Sequence, residues 1–239
     1  MNHQPHAVAA LIGDRTHQCD ATATDHNAAT GATAFVLLDG IGSTPAVQKF
    51  TVEAAHRLAS AAAHDGDAAT ALAAVHAAYV RQPDPFNHHN ACAVVAVTLP
   101  GKPLTVAWCG DARAYFLTPS GVLSRLTVDH NMEQVALDAG RNPGPYDHNA
   151  VTSCLGDVAT ERRPGHRPAL GAVSLPQWRG RLLLASDGAY RPLEQSGARL
   201  GNYLTGTCEE AAHDVVESGV AMSPPHADNA TALVADLTG

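Results

Sequence analysis

Apolar residues in this chain fall in short runs that stop abruptly at turn-forming residues. Seven runs read as β-strands: Thr33–Leu38, Cys92–Leu99, Leu104–Cys109, Ala112–Leu117, Val122–Leu126, Arg181–Ser186 and Ala230–Leu237. Each is bounded by Gly, Pro, Asp or Asn, and Pro119-Ser120-Gly121 carries hairpin-turn chemistry. Elsewhere the apolar period lengthens to that of a helix. A first helix opens at Ser43-Thr44-Pro45, a cap followed by proline at the first helical position, and sets Val47, Phe50, Ala54 and Leu58 on one face. A second starts near Asp67 and repeats Leu72, Val75 and Tyr79. A third covers Asn131–Ala139 and stops at Gly140, and a fourth begins on the capping box Thr207-Cys-Glu-Glu210. Strands, then paired helices, then more strands predict an α+β fold with mostly antiparallel sheet. No repeat or long linker divides the chain, so one domain over residues 1–239 is expected. The Pro/Gly/His-rich stretch Arg141–His148 reads as a surface loop.

Composition narrows the class of partner. At 45% hydrophobic residues, 239 residues can bury a sizeable core, and disorder is excluded. Alanine fills roughly a fifth of the chain, which suits close helix–sheet packing. The net charge of −8 argues against a nucleic-acid or anionic-membrane partner, either of which needs a basic face. No run approaches the length of a membrane span, and the apolar Ala7–Ile12 has no Lys or Arg before it, unlike a signal peptide. Five cysteines without a CxxC spacing point to reduced thiols and a cytoplasmic setting. The acidic total is lopsided, with 16 Asp against 7 Glu. Because Asp prefers turns and caps, many carboxylates should sit on loops, where ligands bind.

Their placement supplies the chemistry. An apolar strand runs straight into Asp beside Gly at Phe35-Val-Leu-Leu-Asp39-Gly40, Val106-Ala-Trp-Cys-Gly110-Asp111 and Leu182-Leu-Leu-Ala-Ser-Asp187-Gly188, and in reverse Asp228-Asn229 precedes Ala230–Leu237. A single Asp-Gly is usually a turn. Four at strand ends instead project carboxylates from a rigid platform, the oxygen donors preferred by Mg2+ and Mn2+.

The order of these pieces resembles the protein phosphatase 2C family, the metal-dependent serine/threonine phosphatases, in their compact bacterial form. Seven motifs follow in family order from about Gly13 to Leu237. They are Gly13-Asp-Arg15-Thr-His-Gln-Cys19-Asp20, Leu38-Asp39-Gly40-Ile41-Gly42, Cys109-Gly110-Asp111-Ala112-Arg113-Ala114-Tyr115, Leu126-Thr-Val-Asp129-His130, Asn149-Ala-Val-Thr152-Ser-Cys-Leu155-Gly156, Ser186-Asp187-Gly188 and Asp228-Asn229-Ala-Thr231. The resemblance implies a four-layer αββα sandwich, two mostly antiparallel sheets flanked by helix pairs, with two Mn2+ or Mg2+ ions at one edge. It assigns Asp39 to bridge both ions, the Gly40 carbonyl to one, Asp187 and Asp228 to the other, and Asp20 to contacts through bound water. Arg15 grips the substrate phosphate, and Asp111 with Asp187 supports a third, weaker ion of the kind bacterial members show. The implied partner is a phosphorylated protein and the implied state a monomer.

The chain departs from the family pattern in places. Cys19 stands where the family usually has Glu, and Ile41 where many eukaryotic members have His. The segment 131–148 reads as a shortened flap. These departures leave open a second reading, a weak or inactive regulatory module that binds phosphoproteins. Cys19 reads as a buried bystander or as a ligand for a softer metal, and His88-His89 as a solvated loop or a metal site. Asp129 and His130 read as structural, Arg113 as a buried ion-pair partner, and Asp157 as a cap or turn or as a residue within reach of the third ion. Asp14 stands next to Arg15, a ready partner for its charge.

Overall fold

A computed structural model describes residues 4–80, 89–157, 170–176, 178–223 and 225–238. Pro83-Asp-Pro85 and His88 lie outside these described residues. Ten strands are laid down as β1 (His6–Leu11), β2 (Ala21–Asn27), β3 (Ala32–Gly40), β4 (Ala91–Thr98), β5 (Leu104–Cys109), β6 (Arg113–Leu117), β7 (Leu123–Arg125), β8 (Gly171–Leu175), β9 (Gly180–Ala185) and β10 (Ala230–Leu237). The helices are α1 (Pro45–Asp65), α2 (Ala68–Val80), α3 (Met132–Asp138), α4 (Asp187–Gln195) and α5 (Cys208–Met222). One sheet has the order β2-β3-β4-β5-β8 and the other β1-β10-β9-β6-β7, with every pairing antiparallel.

The two sheets face each other through Phe35, Leu37, Val94 and Val106 on one side and Phe116, Leu182, Leu184 and Leu233 on the other. The alternate residues of β3, Ala34, Val36 and Leu38, turn outward beneath α1 and α2. Both faces of β3 are therefore covered, which is why it reads as an unbroken apolar run. Leu183, Ala185, Ala232 and Val234 of the second sheet pack under α4 and α5. The result is the four-layer αββα sandwich.

Alanine sets the spacing of its outer layers. The buried stripe of α1 is Val47, Thr51, Ala54, Ala55, Leu58, Ala59, Ala62 and Ala63, mostly side chains of a single methyl group. The helix starts where expected: Thr44 Oγ1 accepts from the Val47 N–H at 3.2 Å, and Pro45 follows it. No helix among the described residues is long and apolar enough to cross a membrane.

Candidate metal centre

The strand ends named from the sequence meet on one rim of the sandwich. Asp39 and Gly40 finish β3 opposite Cys92 and Ala91 of β4. On the other side of β3, Ala21 pairs with Leu38, so Asp20 falls opposite Asp39 one step further along the ladder. Gly110-Asp111 follows β5 in the same sheet. From the second sheet, Ser186 closes β9 and Asp187 opens α4, while Asp228-Asn229 leads into β10. Because β9 and β10 are neighbours, these last two acids share an edge.

Hydrogen bonds hold Asp20 and Asp111 in place. Ser186 Oγ donates to Asp20 Oδ2 at 2.7 Å and itself accepts from Thr231 N–H at 2.9 Å. Cys92 Sγ donates to Asp111 Oδ1 at 3.1 Å, Asn131 Nδ2 to Asp111 Oδ2 at 3.4 Å, and Tyr190 Oη to the Asp111 carbonyl at 3.0 Å. Gly110 has φ +93°, and a Cβ there would collide with Cys92, so only glycine turns the chain into Asp111. Gly40 is equally constrained by contact. A Cβ would stand 2.6 Å from the Cys19 carbonyl oxygen and 2.7 Å from Val47, so the backbone comes close to the acids without a side chain between.

Electrostatics mark this rim as unusual. Burial pushes Asp39 well above the ordinary carboxylate range, and the charges of Asp20, Asp187, Asp111 and Asp228 push it further. Burial likewise raises Asp20 to about 6, against the Ser186 hydrogen bond, and Asp187 to about 7 with Asp111 and Asp228 adding to the rise. Asp39 and Asp187 are crowded by protein yet keep partial contact with solvent, as carboxylates on a cleft floor do. Among the described residues, no three His, Cys, Asp or Glu side chains stand already gathered as a cage for one ion. The donors are oxygens throughout, which suits hard divalent cations over softer metals. Cys19 is not part of that set. Its thiol is fully buried, is raised in pKa by that burial, and faces the Thr44 carbonyl at 3.7 Å.

Arg15 brings a correction. Its neighbour Asp14 does not pair with it, because the Asp14 carboxylate accepts from the Ala227 N–H at 2.9 Å. Arg15 instead reaches Asp228, Nη2 to Oδ2 at 2.5 Å, with both side chains close to half exposed. Ile41 is 45% exposed beside the acids and carries no titratable group. Arg113 is the buried ion-pair partner that its place in an apolar strand predicts. It grips Asp129 through Nε and Nη2 at 2.8 and 2.6 Å and holds Glu194 at 2.6 Å. His130 ties the turn at Gly110, its N–H reaching the Gly110 carbonyl at 3.0 Å. Asp157 N–H bonds the Cys154 carbonyl at 3.2 Å, a turn contact.

The sequence assigns no role to four supporting residues: Ser186 and Asn229, which it shows only as neighbours of the acids, and Tyr190 and Arg191. Asn229 locks the rim, accepting from Cys19 N–H at 2.8 Å and donating to the Ile12 carbonyl at 2.9 Å. Its neighbour Asp228 and the Ser-Asp-Gly triplet were the available signals for Asn229 and Ser186. Tyr190 and Arg191 lie in a helix that the sequence does not announce.

Two facing five-stranded antiparallel sheets between helical layers, with aspartates from both sheets on one rim, define an αββα sandwich. Known proteins agree. The family model described as Protein phosphatase 2C matches residues 14–136, just over half of the chain, and the chain belongs to that family. Probable protein phosphatase 2C 28 of Arabidopsis thaliana is 26% identical over 140 residues, 54% of this chain and 41% of that protein. The chain spans about two fifths of the length of the curated relatives it matches. Among solved structures, the Mycobacterium tuberculosis serine/threonine phosphatase PstP/Ppp matches with a TM-score of 0.74 at 23% identity over 99% of each chain. The catalytic domain of PstP in complex with two manganese ions matches with a TM-score of 0.69 at 22% identity, also over 99% of each.

Proposed function

We propose that this chain is a metal-dependent protein phosphatase that hydrolyses phosphoserine and phosphothreonine, using two Mn2+ or Mg2+ ions. The observation that carries the reading is the convergence of aspartates from separate strand ends of both sheets, with burial and mutual repulsion raising Asp39 well above its ordinary pKa. Asp20, Asp39, Asp187 and Asp228 are the carboxylate ligands and the Gly40 carbonyl the backbone one. Asp39 interacts with carboxylates from both sheets, which supports a bridging role. When bound, such a pair of ions supplies water of lowered pKa and offsets the charge of the phosphate.

The remaining work falls to the chain's own groups. Arg15, a planar and permanently charged fork, binds the phosphate oxygens. Its guanidinium is paired with Asp228. With Asp228 holding a cation, Arg15 would present its guanidinium to the phosphate. Ser186 orients Asp20 through a 2.7 Å hydrogen bond, and Asn229 holds the loop residue Cys19, just before Asp20, through its backbone N–H. Hydrolysis breaks the phosphoester bond to the serine or threonine oxygen, joins phosphorus to a water oxygen, and leaves an alkoxide that needs a proton. Ile41 has none to give, so that proton comes from solvent at the open cleft. The partner is a phosphorylated protein acted on by a monomer, and the net charge of −8 disfavours nucleic acid and anionic membrane.

A second reading, a phosphoprotein-binding module without turnover, draws on Ile41 and on Arg15 being held by Asp228. A chelator-stripped preparation offered a phosphothreonine peptide separates the two. Phosphate release that appears on addition of Mn2+ supports the phosphatase. Peptide binding without phosphate release under the same conditions supports the module and overturns the first reading.

A further inference from the structure

Arg191 stands four residues after Asp187 on α4, the spacing that returns a helix to the same face. One edge of its guanidinium is anchored to α3, Nη1 to Glu133 Oε2 at 3.2 Å. The other edge is bare: Nε and Nη2 are shut off from solvent and have no hydrogen-bond partner. Buried N–H groups of a charged side chain are costly unless negative charge faces them. That charge is at hand, because Arg191 acts electrostatically on both Asp187 and Asp111. The preceding residue ties α4 to the same place, Tyr190 Oη donating to the Asp111 carbonyl at 3.0 Å. Asn131, which reaches Asp111 at 3.4 Å, lines the same cavity of about 270 Å3 as Arg191 and Glu133.

Asp111 and Asp187 are the two acids that the family resemblance assigns to a third, weaker ion. An arginine cannot lose its proton at any pH the protein tolerates, so its charge is permanent. A divalent ion between these acids would face that fixed positive charge across protein of low dielectric. We propose that Arg191 is the built-in cation of this half of the rim, so that the chain binds two divalent ions and not three. Asp111 is neutralised by protein charge and ligates no metal. The inference rests on the two-ion reading given above for Asp20, Asp39, Asp187 and Asp228.

Counting Mn2+ bound to chelator-stripped protein by native mass spectrometry tests it. The wild type should take up two ions. Arg191→Gln should take up a third, and Arg191→Lys, which keeps the cation, should return the count to two. In the Arg191→Gln background, Asp111→Asn should remove the third ion. In the wild-type background, Asp111→Asn should leave both ions bound, a measurement that decides the matter even if Arg191→Gln does not fold. Three ions in the wild type overturn the proposal, as do two ions in both wild type and folded Arg191→Gln, or loss of an ion on Asp111→Asn in the wild type. A wild type that binds no Mn2+ overturns the two-ion reading itself and the proposal with it.

Discussion

At the scale of single residues, the rim depends on groups that hold carboxylates in place. Ser186 is the clearest: it is fully buried, and it donates a 2.7 Å bond to Asp20. Removing a partner that orients a ligand costs about 10- to 100-fold in metal affinity. Ser186→Ala should weaken Mn2+ binding by about 10-fold, read by calorimetric titration, and unchanged affinity would contradict the role given to it. Arg113 shows a different economy. Asp129 satisfies it through two bonds deep in the protein, with Glu194 and Tyr115 adding one each. Asp129→Ala leaves a buried guanidinium short of charge, and should cost about 3 kcal/mol of stability in denaturant unfolding. A loss below about 1 kcal/mol would mean that the pair behaves as an exposed one. These residues differ in how far the sequence announces them. An arginine inside an apolar strand demands a carboxylate, and Asp129 was at hand in a recognisable motif. Arg15 and Asp228 are 213 positions apart, and the adjacent Asp14 misleads because backbone amide hydrogen bonds, invisible in sequence, claim it first.

At the scale of elements, legibility follows burial on two faces. β3, β4, β5, β6, β9 and β10 are largely apolar because most of their residues are buried, and all were expected near their observed bounds. β1, β2 and β8 were not. β1 is an edge strand whose outer residues include the exposed Val8 and Leu11, and β2 ends in the polar Asp25-His-Asn27. β8 has no fully buried position. α4 escaped notice because Gly188 and Pro192 both argue against a helix, while its buried Ala189, Tyr190 and Leu193 hold it to α5 and the second sheet. Tertiary packing overrides propensity there, and it carries Asp187 and Arg191 into the site. Caps, in contrast, are local and readable. Thr44 caps α1 as its sequence suggests, so Thr44→Ala should cost about 1 kcal/mol by thermal or denaturant unfolding. A neutral substitution would show that α1 is held by its packing face alone.

At the scale of the whole molecule, the rim places a cluster of like charges where the two sheets meet, and stability should carry its signature. Burial lifts Asp20 to about 6 and Asp187 to about 7, against ordinary carboxylates in the unfolded chain. The folded state therefore binds protons more tightly than the unfolded one through this interval. Their contribution is fully present below the unfolded value and is lost as pH rises through 6 and 7. Chelated protein should melt at a lower temperature at neutral pH than at mildly acidic pH, and Mn2+ should raise the neutral value and flatten the profile. A chelated protein that gains stability toward neutral pH would contradict this account of the rim. Arg181 and Asp236 work in the opposite sense at lower pH. Their ion pair holds Asp236 below its ordinary value, so its contribution fades only as pH falls further.

The central claim joins these scales in one carboxylate, since Asp39 stands at the end of a strand buried on both faces, feels acids from both sheets, and is assigned to both ions. The most direct test is to measure Mn2+ uptake and phosphate release from a phosphothreonine peptide on Asp39→Ala, with circular dichroism to establish that it folds. The account predicts a folded protein that loses Mn2+ binding and peptide hydrolysis together. A folded Asp39→Ala that still releases phosphate at the wild-type rate would contradict it.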